Sequence, residues 1–292
     1  MTPALADSYR YCRSLARRTG RNFYFSFLTL PRGLRRDMCV LYAFMRLTDD
    51  IGDDERIPID DRKQRLKSWR SELRDALAGA ATDSPALPAL ADVVRRHNIP
   101  AEYLEEVVSG VESDLTPVRF ETSADLDRYC YQVAGAVGLC CIHIWGFHDD
   151  RARDAAIDCG RAFQLTNILR DLKEDAENGR VYLPQDELER FDCSAADFIG
   201  SGPNERVASL IQFQVDRARI DYGKAAALDN YLAPPGRSIL SAMLRIYGRL
   251  LSEIERRRYD VFSQRIEISS TRKLAIAISS AAGRKFHADK LR

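Results

Sequence analysis

The chain has 292 residues, 45% of them hydrophobic and 30% charged, with a formal net charge of +1. That is enough chain and enough apolar content for a sizeable core, and the composition is not that of a disordered or fibrous protein. A balanced charge gives no sign of bulk nucleic-acid binding, and no nucleic-acid partner is expected. Charge is unevenly placed, however. From residue 245 onward there are 12 Lys/Arg against 5 Asp/Glu, or +7, which leaves −6 for the remainder. A basic C-terminal end suits acidic lipid or ligand phosphates, and equally a solvated helix face.

In chain order, residues 23–30, "FYFSFLTL", carry the first strand-like signal, but the run is short and lacks a hairpin turn. Next comes "LYAFMRLTDDIGDD" at 41–54, in which Tyr42, Arg46, Asp49 and Asp53 step by four, three and four. On a helix they share one face. "DDIGDDERIPID" is a poor calcium loop, because it lacks an oxygen ligand at its third position and glutamate at its twelfth. Leu66, Trp69, Leu73 and Leu77 recur at helical spacing, as do Leu104, Val107, Val108, Val111 and Leu115.

Asp125 and Asp149 are suited to the first turns of long helices. Between them lie 19 residues, 129–147, without Asp, Glu, Lys or Arg. Length alone permits a membrane span. Gln132, His143 and three glycines dilute it, so a helix buried on all sides fits better. In "QLTNILRDLKED", 164–175, Gln164, Asn167, Asp171 and Asp175 step by three, four and four, apart from the apolar Leu165, Ile168, Leu169 and Leu172. "RVYL" at 180–183 is the other short strand signal. Prolines at 31, 58, 85, 88, 100, 117, 184, 203 and 234–235 divide the rest. The expectation is an all-α chain of about ten helices in one domain, 1–292, with ligand sites between helices.

Seven cysteines form no CxxC pair and no secretory signal precedes them, so reduced thiols in a cytoplasmic protein are expected. Four scattered histidines without HExxH give no zinc site. His148-Asp149-Asp150 lacks the further histidines that a metal-dependent phosphohydrolase needs.

Two carboxylates one helical turn apart are roughly 6 Å from each other. At an effective dielectric of about 20 they repel by roughly 3 kcal/mol. In open water the repulsion nearly vanishes; in a cleft it demands a counter-charge. Mg2+ suits, since it prefers oxygen ligands, keeps waters and bridges carboxylates to phosphate. Pattern alone leaves a solvated acidic face and a metal–diphosphate site both open.

"RNFYFSFLTLP" (21–31), "YAFMRLTDDIGDD", "YCYQVAGAVG" (129–138), "FQLTNILRDLKEDAENGRVYLPQDEL" (163–188) and "YGRLLSEIERRRYDVF" (247–262) together resemble the squalene/phytoene synthase family, in order and spacing, over about residues 8–275. The resemblance implies an all-α isoprenoid synthase fold, a single helical bundle with a central cavity. It implies a prenyltransferase that condenses two prenyl diphosphates head to head with Mg2+, or Mn2+ in its place. By the same resemblance Asp49, Asp53, Asn167, Asp171 and Asp175 hold metal. Tyr42, Arg46, Tyr129, Arg170 and Tyr247 are catalytic, and Arg21, Phe23, Val133, Ala134, Gly138 and Gln164 contact substrate.

The expected product is a cyclopropylcarbinyl diphosphate, with onward rearrangement open. Farnesyl diphosphate, as in presqualene diphosphate and squalene formation for hopanoids, is slightly preferred to geranylgeranyl diphosphate, as in phytoene formation for carotenoids. NADPH use stays open. Asn22 stands where the family usually has serine, and Gln132 where it often has a small or apolar residue; both bear on the product. Chain elongators and cyclases use other aspartate patterns, and a non-catalytic scaffold relative would have lost the carboxylates. Greasy substrates suggest peripheral membrane contact through the basic end, and downstream pathway enzymes are candidate partners.

Overall fold

Proline placement sets where many helices begin. The computed structural model describes residues 2–116, 119–199 and 204–288, without the side chains of Arg21 and Asn22. Pro117 and Pro203 therefore lie outside the described residues. Fourteen α-helices run through the rest: α1 Pro3–Thr19, α2 Arg21–Phe27, α3 Arg32–Gly52, α4 Ile59–Leu77, α5 Leu87–His97, α6 Ala101–Ser113, α7 Ser123–Cys130, α8 Ala136–Trp145, α9 Arg151–Arg170, α10 Leu172–Glu177, α11 Gln185–Arg190, α12 Glu205–Ala225, α13 Pro234–Arg256 and α14 Ser270–Ala281. Pro31, Pro58, Pro100 and Pro184 immediately precede helices, and Pro3, Pro88 and Pro234 occupy first turns, where a missing N–H costs nothing.

No strand occurs among the described residues, and Phe147 and Leu232 form an isolated bridge. The strand-like 23–30 is α2 and a turn: its aromatic residues reach partners from a helix, and tertiary packing overrides their β preference. The helices outnumber the ten expected because several are interrupted without losing direction. The uncharged stretch is one such case. It runs from α7 through a π-helical turn, Tyr131–Gly135, into α8. No helix among the described residues is long and apolar enough to cross a membrane.

One contiguous apolar core reaches from Tyr9 to Ile276. α9 lies against α8, α12 and α13, while α3 lies against α1, α4 and α6. Two buried polar contacts fix the helices that matter most below. Trp69 Nε1 donates to Thr48 Oγ1 at 2.9 Å, and its indole stacks on Phe44 at 6.0 Å, which holds the last turns of α3 against α4. The hydroxyls of Thr166 and Tyr222 lie 2.9 Å apart and tie α9 to α12. Burying these groups without partners would cost about 1–3 kcal/mol each, so the pairings also fix helix rotation.

Candidate active site

A cavity of about 1140 Å3 opens between α2, α3, α6, α9 and α13, above the roughly 300–1,000 Å3 usual for small-molecule sites. Its solvent-reaching end carries Asp49, Asp53, Asp114, Asp171 and Glu174 with Arg46 and Arg170. Deeper residues are buried and apolar, among them Phe27, Leu41, Cys141 and Leu250.

α3 presents Tyr42, Arg46, Asp49 and Asp53 on successive turns to this cavity. Asp53 closes the helix, its N–H bonding to the carbonyl of Asp49 at 2.8 Å. Arg46 pairs with Asp50 one turn on, while its Nε is buried without an acceptor. Phe23, from α2, sits 6.5 Å from the Tyr42 ring and 5.8 Å from the Tyr247 ring, so three of the expected aromatic residues cluster.

The second stripe is not one unbroken helix. α9 ends at Arg170 and α10 begins at Leu172, with Asp171 as the joint. The stripe survives because the bonds Asp171 N–H to Asn167 O and Asp175 N–H to Asp171 O, both 2.9 Å, carry helical register through it. Gln164, Asn167, Arg170 and Asp171 line the cavity. Asp171 is held by two cations: Arg170 grips both its oxygens, and Arg265 reaches it from far down the chain at 3.2 Å. Asp175 is half-buried beside this group.

Between the stripes stand residues that sequence spacing did not single out. The N–H of Arg180 bonds to the carbonyl of Asp175 at 2.8 Å, and its guanidinium extends to 4.0 Å from Asp53 and 3.6 Å from Glu55. Asp114 accepts hydrogen bonds from the Tyr129 hydroxyl at 3.1 Å and the Tyr182 hydroxyl at 3.3 Å, and these two rings stack at 5.1 Å. A signal for Asp114 was present, since Val107, Val111 and Asp114 step by four and three and all line the cavity. Arg180 and Arg265 come from irregular segments, where no periodicity marks them.

Crowding these carboxylates in a cleft changes their acidity in the expected direction. Burial, then the neighbouring Asp53, pushes Asp49 up to about 7. Asp49 remains reachable by water, as a group inside an open cleft is, although protein surrounds it closely. Burial and then Asp171 push Asp175 up to about 7, and burial raises Asp114 to about 6 against its two tyrosine hydrogen bonds. Protons thus supply part of the missing counter-charge.

Among the described residues no three Asp, Glu, His or Cys side chains converge as they stand on one ion. The donor set nevertheless fits a water-rich Mg2+ attached to one or two carboxylates at a time. Asn167 Oδ1 is buried without any donor, next to Asp171, while Nδ2 of the same amide donates to Gln164 at 3.3 Å. An orphaned acceptor there and an orphaned donor at Arg46 suit a cation and a phosphate respectively.

Two of the expected substrate contacts, Ala134 and Gly138, are not among the residues lining the cavity. Val133, Val137 and Cys141 form the wall from α8 and the π turn. Ala134 and Gly138 turn instead to α9: a Cβ on Gly138 would stand 2.7 Å from Ala156 O, and one on Gly160 would stand 2.6 Å from Ala134 O. The Ala134 backbone and the bare Gly138 thus make close contact with α9. Arg21 was also expected at substrate, but its side chain lies outside the described residues. Gln132 donates to Glu106 at 3.0 Å, toward α6 rather than into the cavity.

Residues 16–272 match the squalene/phytoene synthase family. A phytoene synthase of Arthrospira platensis is 33% identical over 287 residues, covering 94% of this chain and 92% of its own. A crystal structure of a dehydrosqualene synthase in complex with ligand superposes with a TM-score of 0.87 at 25% identity, covering 96% of this chain and 97% of that one. The squalene synthase HpnC from Alicyclobacillus acidocaldarius gives 0.82 at 29% identity, with 89% and 97% covered. The all-α bundle is the isoprenoid synthase fold, and the chain belongs to the squalene/phytoene synthase family of prenyltransferases.

Proposed function

We propose that this protein joins two geranylgeranyl diphosphates head to head, as a phytoene synthase. The carrying observation is the cavity itself: carboxylates, arginines and orphaned polar atoms at its open end, apolar residues in its depth. The chain length follows from the curated relative, a phytoene synthase matched over more than nine-tenths of both chains. This reverses the slight preference for farnesyl diphosphate. The farnesyl reading keeps support from the dehydrosqualene and squalene synthase structures.

In this reading Asp49, Asp53, Asn167, Asp171 and Asp175 hold Mg2+. When bound, these ions would supply Lewis-acid neutralisation of the charge on a departing diphosphate. Arg46 would supply its free Nε to a phosphate oxygen, and Arg170, beside Asp171 in the same lining, would add a charge-assisted bond. Gln164 orients Asn167. Phe23, Tyr42 and Tyr247 line the cation's surroundings with ring faces, worth about 0.5–2 kcal/mol each, and Val133 belongs to the dry wall that excludes water. The proton lost on ring closure needs an acceptor. Burial raises the hydroxyls of Tyr42, Tyr129 and Tyr247, so none is a phenolate near neutral pH. That favours the departed diphosphate. The single-domain reading, 1–292, is kept, supported by the contiguous core. Peripheral membrane contact remains part of the proposal, supported by exposed Leu274 and Ile278 on basic α14.

The deciding experiment incubates the protein with Mg2+ and either diphosphate, with and without NADPH, and identifies products by mass spectrometry. Phytoene from the C20 substrate, unaffected by NADPH, is expected. Exclusive turnover of the C15 substrate overturns the chain-length assignment, and diphosphate binding without turnover overturns catalysis.

A further inference from the structure

A second cavity, of about 820 Å3, lies on the other side of α2. Its walls are α1 and the start of α3, and they bring Arg10, Arg13, Arg17, Arg32, Arg35 and Arg36 together. On α1 the steps are three and four, and on α3 they are three and one, so each set shares a helix face. No Asp or Glu is among the described residues lining this cavity. Internal neutralisation is slight. Arg10 pairs with Asp7, outside the cavity. Arg36 approaches Asp37 at 3.5 Å, but that carboxylate already accepts from Arg96 and His97 at 2.9 Å.

The remaining guanidinium groups show what is missing. Arg35 gives one Nη2 bond to the carbonyl of Leu30 at 3.1 Å, while its Nε is buried with no acceptor. Among the described residues Arg13, Arg17 and Arg32 have no hydrogen-bond or ion-pair partner. Gly33, at the first turn of α3, leaves open space where a Cβ would stand, and Pro31 offers the helix no side-chain cap. Arg32 and Gly33 line this cavity, so the positive dipole end of a 21-residue helix lies at its wall. Like charges gathered around a concavity, with a buried donor left over, suit a compact anion with several oxygens. Guanidinium forks match phosphate in geometry as well as charge.

We propose that this arginine cavity is a second phosphate site, separate from the reaction cavity, which takes a diphosphate or phospholipid headgroup. It shares a wall with the reaction cavity: Tyr24 lines the arginine side of α2, and Phe23, Phe25 and Phe27 line the other.

The test is phenylglyoxal labelling of arginines, read residue by residue by peptide mass spectrometry on the full chain in EDTA. Inorganic pyrophosphate at about ten times its dissociation constant should slow labelling of Arg13, Arg17 and Arg32 roughly tenfold. Exposed Arg128 serves as the reference and should not change. Protection by pyrophosphate assigns a free anion, and protection by phosphatidylglycerol but not phosphatidylcholine vesicles assigns a lipid headgroup. Equal protection by sodium chloride at matched ionic strength, or none by either probe, overturns the proposal. The Asp171→Asn variant should show the same protection, which separates this site from the catalytic assignment. Arg13→Gln/Arg17→Gln/Arg32→Gln should abolish protection at Arg35 and Arg36 while circular dichroism stays unchanged. Retained protection in that variant also counts against the site.

Discussion

The guanidinium of Arg180 stands 4.0 Å from the Asp53 carboxylate, so a residue five positions beyond the second acidic stripe touches the last acid of the first. This contact ties the segment after α10 to the end of α3. It also lies beside Asp114 and Asp175, whose acidity Arg180 increases against burial. Replacing Arg180 by glutamine removes the shared cation. Loss of one partly exposed ion pair, about 0.2–1 kcal/mol, corresponds to roughly 1.5- to 5-fold in kcat/KM. Steady-state kinetics at saturating Mg2+ would check it, and an unchanged kcat/KM would remove Arg180 from the site.

Asp171→Asn tests the metal assignment directly. The helical joint should persist, because its register is carried by backbone bonds at 2.9 Å. Circular dichroism should match the parent. Turnover should fall by at least about a hundredfold, since Lewis-acid stabilisation is worth several kcal/mol. Full activity in this variant would sink the assignment.

Acid stability should depend on a different carboxylate. Asp37 is buried at 2% exposure. Burial pushes it up, but hydrogen bonds from His97 and Arg96 outweigh that and hold it down at about 2. The folded value lies below the unfolded one of about 3.9, so the contribution is fully present above the unfolded value and disappears as pH falls toward 2. It amounts to about 2–3 kcal/mol. Urea unfolding from pH 5 to pH 2.5 should show this loss, and Asp37→Asn should flatten the slope. An identical slope in the variant would place the acid sensitivity elsewhere.

Gly160→Ala should destabilise without touching the cavity. Its Cβ would stand 2.6 to 2.7 Å from the backbone of Ala134 and Gly135, which cannot yield as a side-chain tip can. Overpacking of this kind costs about 1–3 kcal/mol. For a chain of this size that is roughly 2–10 °C in Tm. Calorimetry decides, and an unchanged Tm would mean that α9 and the π turn part freely.

Helical spacing carried much of this site, and the reason is geometric. Tyr42, Arg46, Asp49 and Asp53 lie within one helix, and spacing alone puts them on one face. The Asp171 joint spoiled nothing because hydrogen bonds bridge it. Arg265 and Arg180 were illegible: one is 94 positions from its partner Asp171, and the other extends from an irregular segment. Ala134 and Gly138 were assigned by resemblance, which fixes a position but not the direction in which it faces. The strand-like 23–30 became α2 because its rings meet Tyr42 and Tyr247 from a helix, a contact no local window contains.

The wall made by Tyr129, Val133, Val137 and Cys141 advances by four residues each time. In a regular α-helix each such step drifts by about 40°. The wider turn at Tyr131–Gly135 takes up part of that drift. Deleting a single residue there would let the stretch wind as an ordinary α-helix, with Val137 and Cys141 then seven and eleven residues from Tyr129 and still on its face. The wide turn thus keeps this flank of the chamber aligned while accommodating one supernumerary amino acid.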